Sequence, residues 1–456
     1  MNNVKAIYFL GIGGIGMSNL ARYFMSKGKK VAGYDRTETP LTKELVNEGT
    51  EIHYCDSAKL IPVYCLDKQS TLVVYTPAIP HDSEELNFLT SEGFDLKKRA
   101  EVLGIITRNS RALCCAGTHG KTTTSSMLAH ILKQSHLDCN AFLGGILKNY
   151  NSNLLLSDKS PLTVIEADEY DRSFHWLRPY MALVTSVAPD HLDIYGTEEE
   201  YVKSFEKFTS LIQPDGSLVM RHGIGLHPQV QEGVKVYTYG IEEGDFRAQN
   251  IRIGNGEIVF DFLTPKEIVK DIYLGVPIKI NIENGVGAMS IAWLTGATAD
   301  ELRSAMNSFQ GAKRRFDFRI KTDKLVFIDD YAHHPEELTA SITSVKELYP
   351  HRKLTGVFQP HLYTRTRDFV DQFAESLSLL DELILLDIYP AREEPIKGVT
   401  SRIIFDKVTC PKTLCTKDQL LDILGEKQDI DVLLTMGAGD IDQLLNPIKE
   451  ILERKL

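Results

Sequence analysis

The chain has 456 residues, 43% of them hydrophobic and 25% charged, with a formal net charge of −11. That length predicts two or three folded domains with sizeable cores. The negative balance argues against a general nucleic-acid or membrane-surface binder, because both partners are polyanions, and no stretch approaches the roughly 20 apolar residues of a membrane span.

"VKAIYFL" reads as a buried strand, and glycines and the helical spacing of "MSNLARYFMSKG" follow it. "KVAGYD" is the next strand, which completes a right-handed βαβ unit. "TLVVYTPAIP" is a further strand, and a first domain boundary is expected near Ile106. The glycines Gly11, Gly13 and Gly16 fit G-x-G-x-x-G between strand and helix, and Asp35 closes the second strand where an acid meets a ribose. A dinucleotide or a sugar nucleotide satisfies the same physics, since either diphosphate docks on a helix N-terminus.

"RALCCAGTHGKTTT" opens a second α/β region with a strand–loop–helix pattern. The unpaired N–H groups of the helix start and the residues Gly117, Thr118, His119 and Gly120 suit a phosphate, Lys121 adds a positive charge, and Thr122 is placed to ligate Mg²⁺. Cys115 stands where the strict Walker pattern has its first glycine. Strands are expected at "LTVIEAD" and "MALVTSV" and a helix at "EEEYVKSFEKFTSLI". Each of these strands ends in a polar cluster: Glu166, Asp168, Glu169 and Asp171 on the first, then Asp190, His191 and Asp193 on the second. Two such edges after a phosphate loop favour Mg²⁺ over a solvated turn.

From Ser217 to Leu274 short alternating runs predict antiparallel strands. "NIENGVGAMSIAWLTG" and "TADELRSAMNSF" read as helices, with a second boundary near Gly311. The last region alternates "LVFIDDY", "PEELTASITSVKELY", "KLTGVFQP", a helix to about Leu380, "ELILLDI" and "DVLLTMG", a third doubly wound unit. "IDDYAHHPEEL" sets Asp329, Asp330, Tyr331, His333 and His334 at a strand end, as a helix start or as a substrate-facing pair. Basic clusters surround Arg99, Arg315 and Arg365. The seven cysteines (Cys55, Cys65, Cys114, Cys115, Cys139, Cys410 and Cys415) form no zinc spacing and read as free thiols of a reducing cytoplasm. The N-terminus lacks a signal-peptide pattern, so a cytoplasmic location is expected.

In this order, "GIGGIGMS", "GTHGKTTT", "EADEYDRSF", "DHLDIYG", "RRFDF", "DDYAHHPEE", "QPHLYTRTRD", "DIYPAREEPIKGV" and "TMGAGDI" resemble the Mur ligases of peptidoglycan synthesis over nearly the whole chain. The resemblance implies an α/β protein of three domains, each a mostly parallel sheet with flanking helices. These are a Rossmann-like UDP-sugar domain (1–106), a P-loop ATPase-like ATP domain (107–311) and a Rossmann-like amino-acid domain (312–456). It implies UDP-N-acetylmuramate and L-alanine as substrates, with ATP and Mg²⁺. Gly11, Gly13, Gly14, Ile15, Gly16, Met17, Ser18, Asp35 and Arg99 would serve the UDP-sugar. Residues Gly117 to Thr123, with Thr123 itself, Asn284, Arg315 and Asp330, would serve ATP. Thr122, Glu166 and His191 would hold metal. Tyr331, His333, His361 and Arg365 would serve the amino acid, with Lys121, His333 and Arg365 as catalytic groups.

Two positions depart from the family pattern: Ile280 stands where a histidine is usual, and Ser186 where an asparagine is common. No nucleic-acid partner or membrane insertion is expected, and the chain is expected to be a monomer or weak homodimer. The rival readings are a recycling ligase that attaches a tripeptide, a non-catalytic nucleotide sensor, and a dehydrogenase built on the first loop.

Overall fold

The computed structural model describes residues 3–76, 79–190, 192–254, 256–391 and 393–456. Its chain divides into two compact units. The first comprises residues 1–249, 262–270 and 283–306, and the second residues 250–261, 271–282 and 307–456.

In the first unit an all-parallel sheet runs in the order Glu51–His53, Lys30–Tyr34, Ala6–Leu10, Thr71–Tyr75, Asp95–Lys98. The order reverses beside Ala6–Leu10, whose fully buried residues pass straight into the first glycine loop. In doubly wound sheets ligands bind at the carboxyl ends of the strands at such a reversal.

The second sheet is built on Arg111–Ala116, flanked by Met181–Val184 and Leu162–Glu166, both parallel to it. Within this unit Asn140–Leu147 and Ser152–Leu155 extend it on one side, and Ser217–Arg221 and Lys235–Gly240 on the other. Against expectation, Ser217–Arg221 and Lys235–Gly240 pair in parallel, the first with Met181–Val184 and the second with the first. Neither strand alternates between buried and exposed positions: Ser217–Arg221 is buried over its first three residues and Lys235–Gly240 over its last two.

The two sheets of this unit share one apolar core. Ile7, Phe9 and Phe24 belong to the same buried cluster as Ala112, Ile165 and Phe205, and the rings of Tyr23 and Phe142 meet at 5.4 Å. The expected boundary near Ile106 falls inside the helix Arg99–Arg108, which buries Val102, Leu103 and Ile106 in that core.

In the second unit Asp317–Lys321, Val326–Asp330, Val432–Met436, Leu354–Phe358, Glu382–Leu385 and Lys412–Leu414 form one sheet. It is parallel except for its first pair. The antiparallel edge strand Asp317–Lys321 and the short Lys412–Leu414 carry too few apolar residues to stand out in the sequence. Among the described residues no helix is long and apolar enough to cross a membrane.

Glu85 is fully buried beneath the first sheet, where it accepts hydrogen bonds from the Tyr8 hydroxyl (2.5 Å) and the Ser57 N–H (3.0 Å). Burial pushes its carboxyl up from 4.5 to about 7, which makes the protonated form the stabilised one. Its contribution to stability is therefore complete below pH 4.5 and lost as pH rises through 7. Glu85→Gln is expected to remove a decline of about 3 kcal/mol in unfolding free energy across that window. Urea unfolding at successive pH values measures it, and an unchanged slope would remove Glu85 as its source.

Candidate functional site

Between Arg111–Ala116 and the helix Lys121–Gln134 the chain makes a tight loop, with Gly117 at φ 140° and Gly120 at φ 81°. Both lie in the left-handed region that favours glycine. The loop is fastened from one side by the segment after Met181–Val184. Ser186 accepts the Thr118 N–H at its carbonyl (3.1 Å) and the His119 N–H at its hydroxyl (3.0 Å). The Thr118 hydroxyl reaches Ala188 O at 2.7 Å. The serine that departs from the family pattern thus has a definite task, holding the loop backbone. Cys115, the other oddity of the loop, is fully buried in the preceding strand. Asn284 is buried with Oδ1 3.3 Å from the Thr124 hydroxyl, so it lies against the first turn of the helix. Ile280, one helical turn earlier, is 53% exposed. Thr123 is half-buried in that same first turn.

Lys121 folds back over the loop. Its Nζ donates to Gly117 O (2.6 Å), Thr118 O (3.2 Å) and Glu169 Oε1 (2.8 Å). Glu169 is 2% exposed, and burial pushes its carboxyl up while Lys121 opposes the shift.

Glu166 ends its strand beside the same helix and accepts from the Thr122 hydroxyl (2.8 Å), the Gly144 N–H (2.9 Å) and the Ser125 hydroxyl (3.4 Å). Neighbouring oxygens of a Mg²⁺ octahedron with bonds of 2.0–2.1 Å lie about 2.9 Å apart. The Thr122–Glu166 pair fits that edge. Among the described residues no group of three or more His, Cys, Asp or Glu side chains converges on a metal-sized space. His191 lies outside the described residues.

The first glycine loop lies in the same unit. Gly13 N–H donates to Asp35 Oδ2 (2.7 Å) and Thr37 N–H to Oδ1 (3.2 Å), so both Asp35 oxygens brace the chain itself. Gly14 caps the helix Ile15–Ser26, and Ile15 is 52% exposed beside it. Met17 is buried in the core and the Ser18 hydroxyl donates to Ile15 O (2.9 Å), so neither side chain faces outward. The Arg99 guanidinium lies directly against Gly16, so a Cβ there would have to displace it. Gly11, with φ 85°, sits against Thr76 at the sheet reversal. A cavity of about 180 Å³ has Gly16, Asn19 and Arg99 in one wall and Gly144, Glu166 and Asp168 in another. The sequence does not single out Gly144 and Asn19; only the folded contacts reveal them.

The second unit gathers the remaining candidates. The His333 ring lies 5.2 Å from Tyr331 and 6.1 Å from His361. Nδ1 of His333 is 2.9 Å from Tyr331 O, an atom that only accepts, so the proton sits on Nδ1 and Nε2 is the basic nitrogen. Burial, aided by the charges of Arg365 and Arg315, holds this imidazole below its ordinary range, while Glu337 and the Tyr331 carbonyl oppose the shift. Arg365 Nη1 is buried and makes no hydrogen bond among the described residues. Arg314 and Arg315 both lie 5.3 Å from the Tyr331 ring. Arg314 also pairs with the fully buried Asp329 (3.2 Å) and donates to Gly437 O (2.6 Å). Asp330 accepts from the Phe316 N–H (3.3 Å), and burial raises its pKa. His334 caps the helix Pro335–Leu348 and stacks edge-on to Phe369, so of the two adjacent histidines one starts the helix and one joins the cluster.

Three family models match the chain: the Mur ligase family catalytic domain over residues 6–111, the Mur ligase middle domain over 115–292, and the Mur ligase glutamate ligase domain over 314–439. The chain is 64% identical to the UDP-N-acetylmuramate–L-alanine ligase of Parabacteroides distasonis, over 100% of this chain and 99% of the relative. It is 59% identical to the protein of the same name from Phocaeicola vulgatus, over 100% of both. The solved UDP-N-acetylmuramate–alanine ligase of Thermotoga maritima superposes with a TM-score of 0.79 at 26% identity, covering 98% of each chain.

A Cβ on Gly144 would fall 2.5 Å from both Glu166 carboxylate oxygens. Gly144→Ala is therefore expected to displace Glu166 and weaken Mg²⁺-dependent ATP binding about tenfold, measured by calorimetry with the circular dichroism spectrum unchanged. Unaltered Mg²⁺ dependence would show that Glu166 does not serve the cation.

Proposed function

The chain belongs to the Mur ligase family, and we propose that it joins L-alanine to the lactyl carboxylate of UDP-N-acetylmuramate at the expense of ATP, a step of peptidoglycan precursor synthesis. The observation that carries this reading is the cavity whose walls come from the UDP-sugar loop and from the acidic strand end beside the phosphate loop. A carboxylate on the sugar and a terminal phosphate have a common place to meet.

The carboxylate oxygen attacks the γ-phosphorus, the bond to the β,γ-bridging oxygen breaks, and ADP leaves. Both reactants are anions, so their repulsion has to be offset where they meet. Lys121, the N–H groups at the start of its helix and, nearer the sugar, Arg99 supply that positive potential. Thr122 and Glu166 are the residues that would hold Mg²⁺, which supplies further charge neutralisation on the phosphates. The apolar remainder of the cavity, Leu103, Phe142, Leu143 and Ile165, limits water around a hydrolysable acyl phosphate.

The second unit's cluster suits the amine. The Nη1 of Arg365, buried and without a hydrogen bond among the described residues, fits one oxygen of the alanine carboxylate. His333 Nε2 takes the proton as the amine attacks the acyl carbon and phosphate departs. Its lowered pKa keeps the ring neutral at physiological pH, as a base must be.

The direct test incubates the protein with ATP, Mg²⁺ and UDP-N-acetylmuramate, offering L-alanine, glycine, L-serine or a cell-wall tripeptide, and identifies products by mass spectrometry. The alanine adduct with stoichiometric ADP is expected. Preference for the tripeptide would replace the reading by a recycling ligase, and nucleotide binding without any product would replace it by a sensor.

Lys121→Ala is expected to lower kcat by at least about 100-fold while UDP-sugar affinity changes little, because the sugar nucleotide docks on the other loop. Equal loss of both would contradict the assignment of two separate loops. The acid limb of the kcat profile is expected below the ordinary histidine value, with activity lost as falling pH protonates His333. His333→Ala with that limb intact would exclude this base.

A further inference from the structure

We infer that Glu169 is a positioning residue that keeps the Lys121 ammonium on the phosphate loop throughout the ATP step, rather than a ligand of the cation. The inference rests on the ligase reading above and deepens it.

An ammonium has three donors. In Lys121 all three are taken, by two loop carbonyls and by Glu169 Oε1. An arriving phosphate has to displace at least one of these acceptors. The partners differ sharply in what their loss would cost. Gly117 O and Thr118 O are neutral carbonyls, each of which loses one bond of ordinary strength when the lysine turns away. Glu169 is 2% exposed, and its Oε2 is buried with no hydrogen bond among the described residues. Withdrawing the lysine would strand a buried carboxylate without a counter-ion, which is among the costliest events in a protein interior. The carbonyl bonds are therefore the ones exchanged for phosphate oxygens, and the bond to Glu169 persists.

The consequence is positional. A lysine side chain has four rotatable carbons and, unlike the planar fork of arginine, no stiffness of its own. One buried ionic contact of 2.8 Å fixes where its Nζ points before the nucleotide arrives. Glu169 is itself anchored: its backbone carbonyl accepts from the buried Tyr195 hydroxyl (2.5 Å). Glu166, three residues earlier, meets Thr122 and Gly144 instead. The acidic strand end thus divides its work, with Glu166 facing the cation's place and Glu169 the lysine.

The test is a double-mutant cycle on ATP binding, read by calorimetry without the other substrates so that it stands whether or not ligase turnover is found. Glu169→Ala alone is expected to weaken ATP binding about tenfold, with UDP-sugar affinity changed less than about twofold. In a Lys121→Ala background the same change is expected to have no effect on ATP binding, because Glu169 acts only through the lysine. Glu169→Gln, which keeps a hydrogen bond but not the charge, is expected to fall between wild type and Glu169→Ala. An equal loss in both backgrounds would overturn the inference, and so would tighter ATP binding in Glu169→Ala, which would make Glu169 a competitor of phosphate. Thermal melting of each variant identifies any that fails to fold, and Glu169→Gln carries the cycle if Glu169→Ala is one of them.

Discussion

The working parts of the first unit are held in register by one carboxylate. Glu166 accepts hydrogen bonds from the phosphate-loop helix through Thr122 and Ser125 and from the neighbouring strand through the Gly144 N–H. It also lines the cavity that the first glycine loop and Arg99 enter from the other side. A carboxylate offers about four acceptor positions, so it can organise three segments at once. Chemistry between two anions needs this arrangement: the positive groups have to be fixed in advance, because their value lies in not having to reorganise during the reaction.

The second unit solves a different problem. In the proposed reaction its cluster would bind a small zwitterion by the carboxylate and leave the amine free to lose a proton. Under the proposal, Arg365 Nη1, buried without a hydrogen bond among the described residues, and the His333 imidazole, held below its ordinary range by burial, would provide the two halves of that task. Arg314 supports the cluster from behind, tying the segment that carries Arg315 to Asp329 and to the loop at Gly437. Its backbone at φ 61° is the kind of local strain that persists where surrounding contacts hold it.

What was legible in the sequence was what local chemistry dictates. Strands such as Ala6–Leu10 and Arg111–Ala116 are continuous apolar runs, and glycines at 11, 117 and 120 adopt backbone angles that other residues avoid. The motifs around Lys121, Glu166 and His333 could be read from residue type at a strand end. What was not legible depends on distant parts of the chain meeting. Asp35 reads as a ribose contact, and the fold adds that its oxygens also brace the chain, one at Gly13 on the first loop and one at Thr37. Met17 reads as part of the phosphate cradle, and the fold adds that its side chain packs into the core. Glu169 was one acid among four until the fold set it against Lys121. The parallel pairing of Ser217–Arg221 could not be inferred from its short apolar run, which does not record which way the neighbouring strand runs.

The central claim is that a sugar carboxylate is activated as an acyl phosphate. It is tested most directly by placing ¹⁸O in both oxygens of the lactyl carboxylate of UDP-N-acetylmuramate and following the label during amide formation with ATP and L-alanine. One labelled oxygen is predicted to remain in the amide and the other to appear in the released phosphate, one for each bond formed. Amide formation with no label in the phosphate would contradict the account.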